Sequence, residues 1–419
     1  MRGGFLLRAS NAFCYRNATR NWRSHRCSAT RSPGTTGQGG PTLNPEKTAR
    51  RRLWLRTVLA VAGAAAPITF ADDGTATQSA PSEPPTLRVD AVELVRGAET
   101  PGDPSIYCDY FGFRYLFASD ENKQEFLRAP QAYEIQYGGA CGRMGPLSGA
   151  GDPQYYAVYD KHIYIFASAA CRKGFLAAPQ LLVERDDPKP TIDPVAREKA
   201  QALLELALKG AGGSERVDAV KSFRLVSQKK SQTGGKWVLT TKSWIAEFPD
   251  RFRMEETWGE WTWAAAIAGA SGFLELNDGR RPRMHAQQVR ALRREFQRNI
   301  LCILQARKRP DFIAVAAGNA KVDGRPVDLL TVYYDGATST LGLDPKTGEL
   351  RSVRYRGRGP RATFGDLQLI YSDYKSVGGV RLPKTVTVMF DGKPATSMDT
   401  RFEKLEINPD LDPKLFAPQ

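Results

Sequence analysis

Beyond residue 71 the chain carries four cysteines, Cys108, Cys141, Cys171 and Cys302, and two histidines, His162 and His285. Four thiols allow three pairings, and their spacing selects none of them. No CxxC occurs, so a closed zinc site of the usual spacing is not expected. Two histidines offer little material for imidazole acid–base work or for a nucleophile–base triad. The chain also lacks GxSxG, the GxxxxGKS/T phosphate loop and HExxH. The remaining reactive types have bland readings. Cys302, beside Ile300 and Ile303 at helical spacing, reads as a small core residue, His162 as a structural strand residue, and Asp186-Asp187 as solvated acids. An enzyme is not expected.

Charge is the other chemistry on offer. Of the formal net charge of +15, residues 1–71 supply most, with twelve Lys/Arg and a single acid, Glu46. A nucleic-acid binder carries its basicity on a folded surface, so that class is not expected. The one basic feature of the folded part is a stretch over 284–309, where Arg290, Arg293, Arg294 and Arg298 precede Arg307, Lys308 and Arg309. That face suits anionic lipid headgroups or an acidic partner. It equally suits plain solvation, with the terminal cations at a helix C-terminus.

These residues need elements to hold them. "YLFAS" at Tyr115–Ser119 returns as "YIFAS" at Tyr164–Ser168, and the flanks keep the same offset: Tyr110 with Tyr159, Phe126 with Phe175, Pro130 with Pro179. A fixed period over some twenty positions predicts a duplicated unit. Each copy reads as an aromatic strand, then a helix capped by Ser119 or Ser168 and stopped at a proline. "ERDDPKPTIDP" (184–194) reads as a linker, and Asp193-Pro194 opens a helix to about Lys209 with Ala196, Ala200, Leu203 and Ala207, and Leu204 beside them, on one face. From Val220 alternating strands follow one another across turns such as "NDG", "DPKTG" and "VGG", an antiparallel meander. One helix interrupts it over about Met284–Arg309, with Val289, Leu292, Phe296, Ile300 and Ile303 at helical spacing.

The N-terminal stretch has the order of an export signal. Arg50, Arg51, Arg52 and Arg56 surround the start of an apolar run, Val58–Ala66, and Thr69-Phe70-Ala71 forms a small-residue exit. The expectation is an exported, periplasmic or envelope protein that starts near Asp72, with 1–45 an over-extended start. Residues 72–86 read as a polar, Pro-rich tether.

Residues 87–183 resemble the YHS family, on Tyr110–Gly112, Tyr115, Phe117, Phe126 and Pro130 in one copy and Tyr164, Phe166, Cys171, Phe175 and Pro179 in the other. "QYGGACG" (Gln136–Gly142) resembles the joining segment of the tandem exported form. Metal-binding relatives place two cysteines at positions held here by Ala118 and Asn122, and by Ala167 and Cys171. The resemblance therefore implies either a metal site using Cys171 with Cys141, a disulfide between them, or a degenerate pair serving as a docking module.

Residues 194–419 resemble the outer-membrane lipoprotein carrier (LolA/LolB) superfamily, most specifically in "YSDYKSVGGVRLPKTVTVMFDGK" (371–393) and "INPDLDPKLFAP" (407–418). The resemblance implies a strongly curved sheet around an apolar hollow with a helical lid. Trp237, Trp244, Trp258, Trp261, Trp263 and Phe273 then either line that hollow or fill an ordinary core. The whole reads as α+β: tandem YHS-like α/β repeats followed by a large curved antiparallel half-barrel. Its expected partner is a lipid or other hydrophobic ligand, with an envelope protein or a peripheral membrane contact as further candidates. No organic cofactor is expected.

Overall fold

A computed structural model describes residues 83–233 and 236–417, so the expected leader, export signal and tether as far as residue 82 lie outside the described residues. The first described elements are β1 (Thr86–Leu87) and α1 (Ala91–Arg96). Strand structure thus begins one residue inside the expected tether, where β1 pairs in parallel with the second strand of the first repeat through Thr86 and Arg114.

The period in the sequence is carried into the backbone. β2 (Asp103–Tyr110), β3 (Phe113–Phe117) and α2 (Asp120–Arg128) are followed by a short α3 (Pro130–Tyr133). One period later come β4 (Asp152–Tyr159), β5 (His162–Phe166) and α4 (Ala169–Leu176). Even the irregularities repeat: pairing slips between Asp103 and Tyr107 in one hairpin and between Asp152 and Tyr156 in the other. Ser119 and Ser168 cap their helices as read, accepting from the amides of Asn122 and Cys171. Each copy closes on one buried phenylalanine. Phe126 packs on Tyr115 and Phe117, with ring centroids 4.7 and 5.4 Å apart, and Phe175 on Tyr164 and Phe166 at 5.1 and 5.0 Å.

After the linker, α5 (Pro194–Gly210) starts at its expected cap, with the Ala196 amide 3.1 Å from the Asp193 carboxylate. A short α6 (Ser214–Asp218) leads into the sheet. Its strands are β6 (Ser222–Thr233), β7 (Lys236–Glu247), β8 (Arg251–Trp258), β9 (Trp261–Ala268) and β10 (Ser271–Glu275). Two helices interrupt, α7 (Ala286–Gln297) and α8 (Ile300–Ala306). The chain returns as β11 (Ile313–Val322), β12 (Arg325–Tyr334), β13 (Ala337–Leu343), β14 (Leu350–Arg358), β15 (Phe364–Val377), β16 (Val380–Phe390), β17 (Lys393–Pro394) and β18 (Thr400–Ile407). Together these strands form one 13-stranded antiparallel sheet. It is open, running from β10 at one edge to β11 at the other, and β18 sits between β16 and β6 to join its two meanders.

Two elements depart from the sequence reading. β9, "WTWAAAIA", falls in none of the alternating runs, because alanine is poor in strands and hides a period of two. It forms because Ala265 and Ile267 face the core while Ala264 and Ala266 pack tightly on the other face. The single helix expected over 284–309 is instead two. Asn299 breaks it, and its carboxamide caps α8 by accepting from the amides of Leu301 and Cys302 at 2.9 and 3.4 Å.

The core lies on the inner face of the sheet. Leu225, Trp244, Met254, Trp263, Ile267, Leu341, Val353, Leu369, Val386 and Phe402 contribute from the strands. Val289, Leu292, Phe296, Ile300, Leu301, Ile303 and Leu304 contribute from α7 and α8, which therefore occupy the hollow. Phe252 and Phe296 stack 4.8 Å apart at its centre.

Candidate functional site

Strand parity sorts the six aromatic candidates. Residues directly opposite in a ladder share a face, so Trp244 opposite Met254, Trp263 opposite Glu256, and Trp258 opposite Trp261 all point inward with the core. Trp237 lies an odd number of residues from Trp244, faces the other way and is 72% exposed. Phe273 pairs with Ala266, which places it on the outer face under the Arg281 guanidinium, 5.4 Å from its ring centre. Trp237 and Phe273 are therefore not lining residues. Trp244 and Trp263 are part of the packed core and Trp261 packs against it, so the aromatic row fills rather than walls a void.

The magnitude of that filling matters. Seven buried apolar side chains from α7 and α8 at roughly 1.5–3 kcal/mol each stabilise the closed arrangement by on the order of 10 kcal/mol or more before entropy. A long acyl chain cannot displace them without replacing most of that contact.

A smaller space remains beside the helices. A cavity of about 170 Å³ is floored by Phe248, Phe252, Cys302, Ala306 and Tyr334, and Arg293, Gln297 and Arg309 stand with Asp250 and Asp335 at its polar side. This exceeds an engineered apolar cavity of roughly 150 Å³ that takes up benzene. The rim is charge-balanced. Arg309 pairs with Asp311 at 2.8 Å and Arg293 with Asp335 at 3.7 Å, so the rim does not select an anion. Burial pushes the Cys302 thiol up, which leaves it a small inert wall.

The arginines read as a membrane-facing row have a different use. Arg294 and Arg298 are buried. Arg294 meets Asp186 at 2.5 Å and also donates to the carbonyls of Arg185 and Gly336. Arg290 reaches the same Asp186 oxygen at 3.0 Å. Arg298 lies 4.1 Å over the Tyr355 ring and donates to the Arg356 carbonyl. Asp186 and Asp187 are thus not merely solvated: Asp187 also accepts from the Thr338 amide at 2.7 Å. The linker straps α7 to the β12–β13 turn, and its acids neutralise the helix that sequence alone left exposed. Among these four, Arg290 keeps most of its side chain in solvent.

The joining segment of the repeat pair also grips α7. The Tyr137 amide donates to Gln287 at 2.7 Å, Gln287 donates to Gln136 at 2.5 Å, and Gln288 donates to the Pro146 carbonyl at 3.0 Å. His285, the α7 cap, meets the buried Glu134 at 2.8 Å. Gly138, at φ +58°, lets this backbone close on the helix: a Cβ there would sit 2.7 Å from the Gln288 oxygen. A second anchor is the buried Arg358, which donates to the carbonyls of Leu182, Arg143 and Ala362. Sequence patterning gave no signal for Arg358. Its alternation within β14 is that of an ordinary strand residue.

Cys141 and Cys171 are brought together. Both are free thiols, Cys141 buried and Cys171 half-buried, and Cys171 packs against the apolar cluster that holds Cys141. Among the described residues no group of three or more His, Cys, Asp or Glu could hold a metal ion, so a metal there would have these two sulfurs as its donors. Cys108 lies apart in β2 and Cys302 in α8.

No family model and no curated protein matches the chain. Among solved structures it is similar to a DUF1329 family protein from Desulfovibrio piger, at 11% identity over 52% of this chain and 97% of that one, with a TM-score of 0.35. It is also similar to a LolA superfamily protein from Nitrosomonas europaea, at 12% identity, the same two coverages of 52% and 97%, and a TM-score of 0.34.

Proposed function

We propose that the protein is an exported, non-enzymatic binder of a small hydrophobic or lipid-like ligand, held between α7–α8 and the curved sheet. The observation that carries this reading is the cavity floored by Phe248, Phe252, Cys302, Ala306 and Tyr334. Its apolar floor and charge-balanced rim suit an apolar body with a polar, uncharged or zwitterionic end. A longer chain enters only as α7–α8 move aside, and the repeat pair, bonded to α7 through Gln136, Tyr137 and Glu134, acts as the accessory module that holds those helices closed. The α7 arginines are used internally, which argues against a membrane-reading role for that face.

The test is to fill the cavity. Ala306→Trp should lower uptake of a fluorescent apolar probe, and lipid-mass adducts in native mass spectrometry, by tenfold or more while the melting temperature holds within a few degrees. Trp237→Ser, on the outer face, should leave both unchanged. Undiminished uptake by a folded Ala306→Trp chain would remove the cavity as the site.

A further inference from the structure

The two repeats use one frame for different chemistry. In the first copy the buried carboxylate of Asp90 accepts from the Ala118 amide at 2.7 Å and from the Asn122 side chain at 2.9 Å. One period later the corresponding positions are Ala167 and Cys171, and the group they meet is Cys141. Its sulfur accepts from the Ala167 amide at 3.4 Å, and Cys171 packs against the cluster that contains it. A closed carboxylate–amide contact in one copy is thus replaced in the other by two free thiols in one cluster. A purely structural duplication gives no reason for that exchange.

We propose that Cys141 and Cys171 form a thiol–disulfide exchange site, with Cys171 the attacking and Cys141 the resolving sulfur. Exposure assigns the roles. Cys171 is half-buried and open to an incoming disulfide, whereas Cys141 is 0% exposed and closed to one. Position supports the assignment. Cys171 is the third residue of the eight-residue α4, in the first turn capped by Ser168, the end of a helix that favours a thiolate over a thiol. Gly174 leaves room for the Arg143 guanidinium to lie against the same helix: a Cβ there would come within 2.6 Å of it.

The chemistry balances with an external disulfide as the two-electron oxidant. The Cys171 thiolate attacks one sulfur of the donor, forming a mixed disulfide and releasing the first donor thiolate. Cys141, losing its proton to that leaving thiolate or to solvent, attacks the Cys171 sulfur and expels the second donor thiolate. Two protein thiols become one disulfide and the donor becomes two thiols. The reverse sequence reduces an oxidised pair.

The test uses the full chain and oxidised glutathione. Reduced protein is equilibrated in buffers of stepped glutathione ratio, quenched with acid, alkylated and mapped by mass spectrometry. The expected result is joint loss of alkylation at Cys141 and Cys171 in one step, a linked peptide pair, and full reversal on reduction. Cys171 should react roughly tenfold or more faster than Cys108 at neutral pH. Cys141→Ser should arrest at a glutathione adduct on Cys171, and Cys171→Ser should leave Cys141 unreacted in the folded chain. Independent alkylation of the two thiols across the whole series would overturn the proposal. So would linkage that appears only after unfolding, or a soft metal ion bound by the pair that blocks exchange. Should Cys141→Ser fail to fold, the linkage seen in the unsubstituted chain decides alone. Uptake of the apolar probe is a separate readout, so either proposal can fail without the other.

Discussion

At the scale of single residues, the recurring theme is that charged and reactive side chains found partners the sequence did not announce. Asp186 is the sharpest case, because its carboxylate takes both Arg290 and the buried Arg294. Removing the acid leaves a buried guanidinium with carbonyl acceptors alone, whereas removing the exposed Arg290 leaves nothing buried unpaired. Asp186→Asn should therefore cost on the order of 1–3 kcal/mol and Arg290→Gln less than about 0.5 kcal/mol, read by urea denaturation. Equal costs would mean that the strap contributes little. The thiol pair gives a prediction in pH. The Cys171 thiol is held down to about 6, so its alkylation by iodoacetamide should be near its plateau at neutral pH and fall as pH drops through 6. An ordinary thiol would still be gaining rate above pH 8. In Cys141→Ala, which removes the leading hydrogen-bond donor to the thiolate, the midpoint should move up.

At the scale of elements, patterning was a good guide wherever one periodic signal ran unopposed. The period of the repeats, the caps at Ser119, Ser168 and Asp193, and the long meander were legible because each is a local rule. β9 was not legible, because "WTWAAAIA" owes its strand state to neighbours on both sides, β8 and β10, and to α7 packed against it. The break at Asn299 was equally hidden, since Ile300 and Ile303 kept the apolar spacing through it. Its cap is testable: Asn299→Ala should destabilise by about 1 kcal/mol, and hydrogen exchange should quicken first in α8. Exchange rising equally across the sheet would show that α8 does not open as a separate unit.

At the scale of the whole molecule, the described residues from Pro84 onward fall within one compact unit rather than two beads on a linker. The repeat pair is fastened to the sheet domain by the 134–146 segment, by the Asp186 strap and by Arg358. Arg358→Ala should therefore raise exchange in residues 140–147 and 182–186 while strands such as β15 and β16 stay protected. Uniform loss of protection would instead make Arg358 a general core residue. If the repeat pair holds α7–α8 closed, the same variant should also speed entry of the apolar probe without changing its equilibrium uptake much.

The sequence by itself determined the repeat, the class of most elements and the alternation of the long meander strands, because these follow from backbone geometry acting over a few residues. Tertiary structure decided the rest. It sorted Trp244 and Trp263 into the core and turned Trp237 and Phe273 outward, since a strand's two faces are equivalent until a register places one against helices. It turned the arginines of α7 from a surface into a clasp, because a charge finds its counter-ion across more than a hundred residues of chain. It brought Cys141 and Cys171 into one cluster for the same reason: the resemblance had named the pair, but the proximity belongs to a folded frame and no spacing along the chain encodes it.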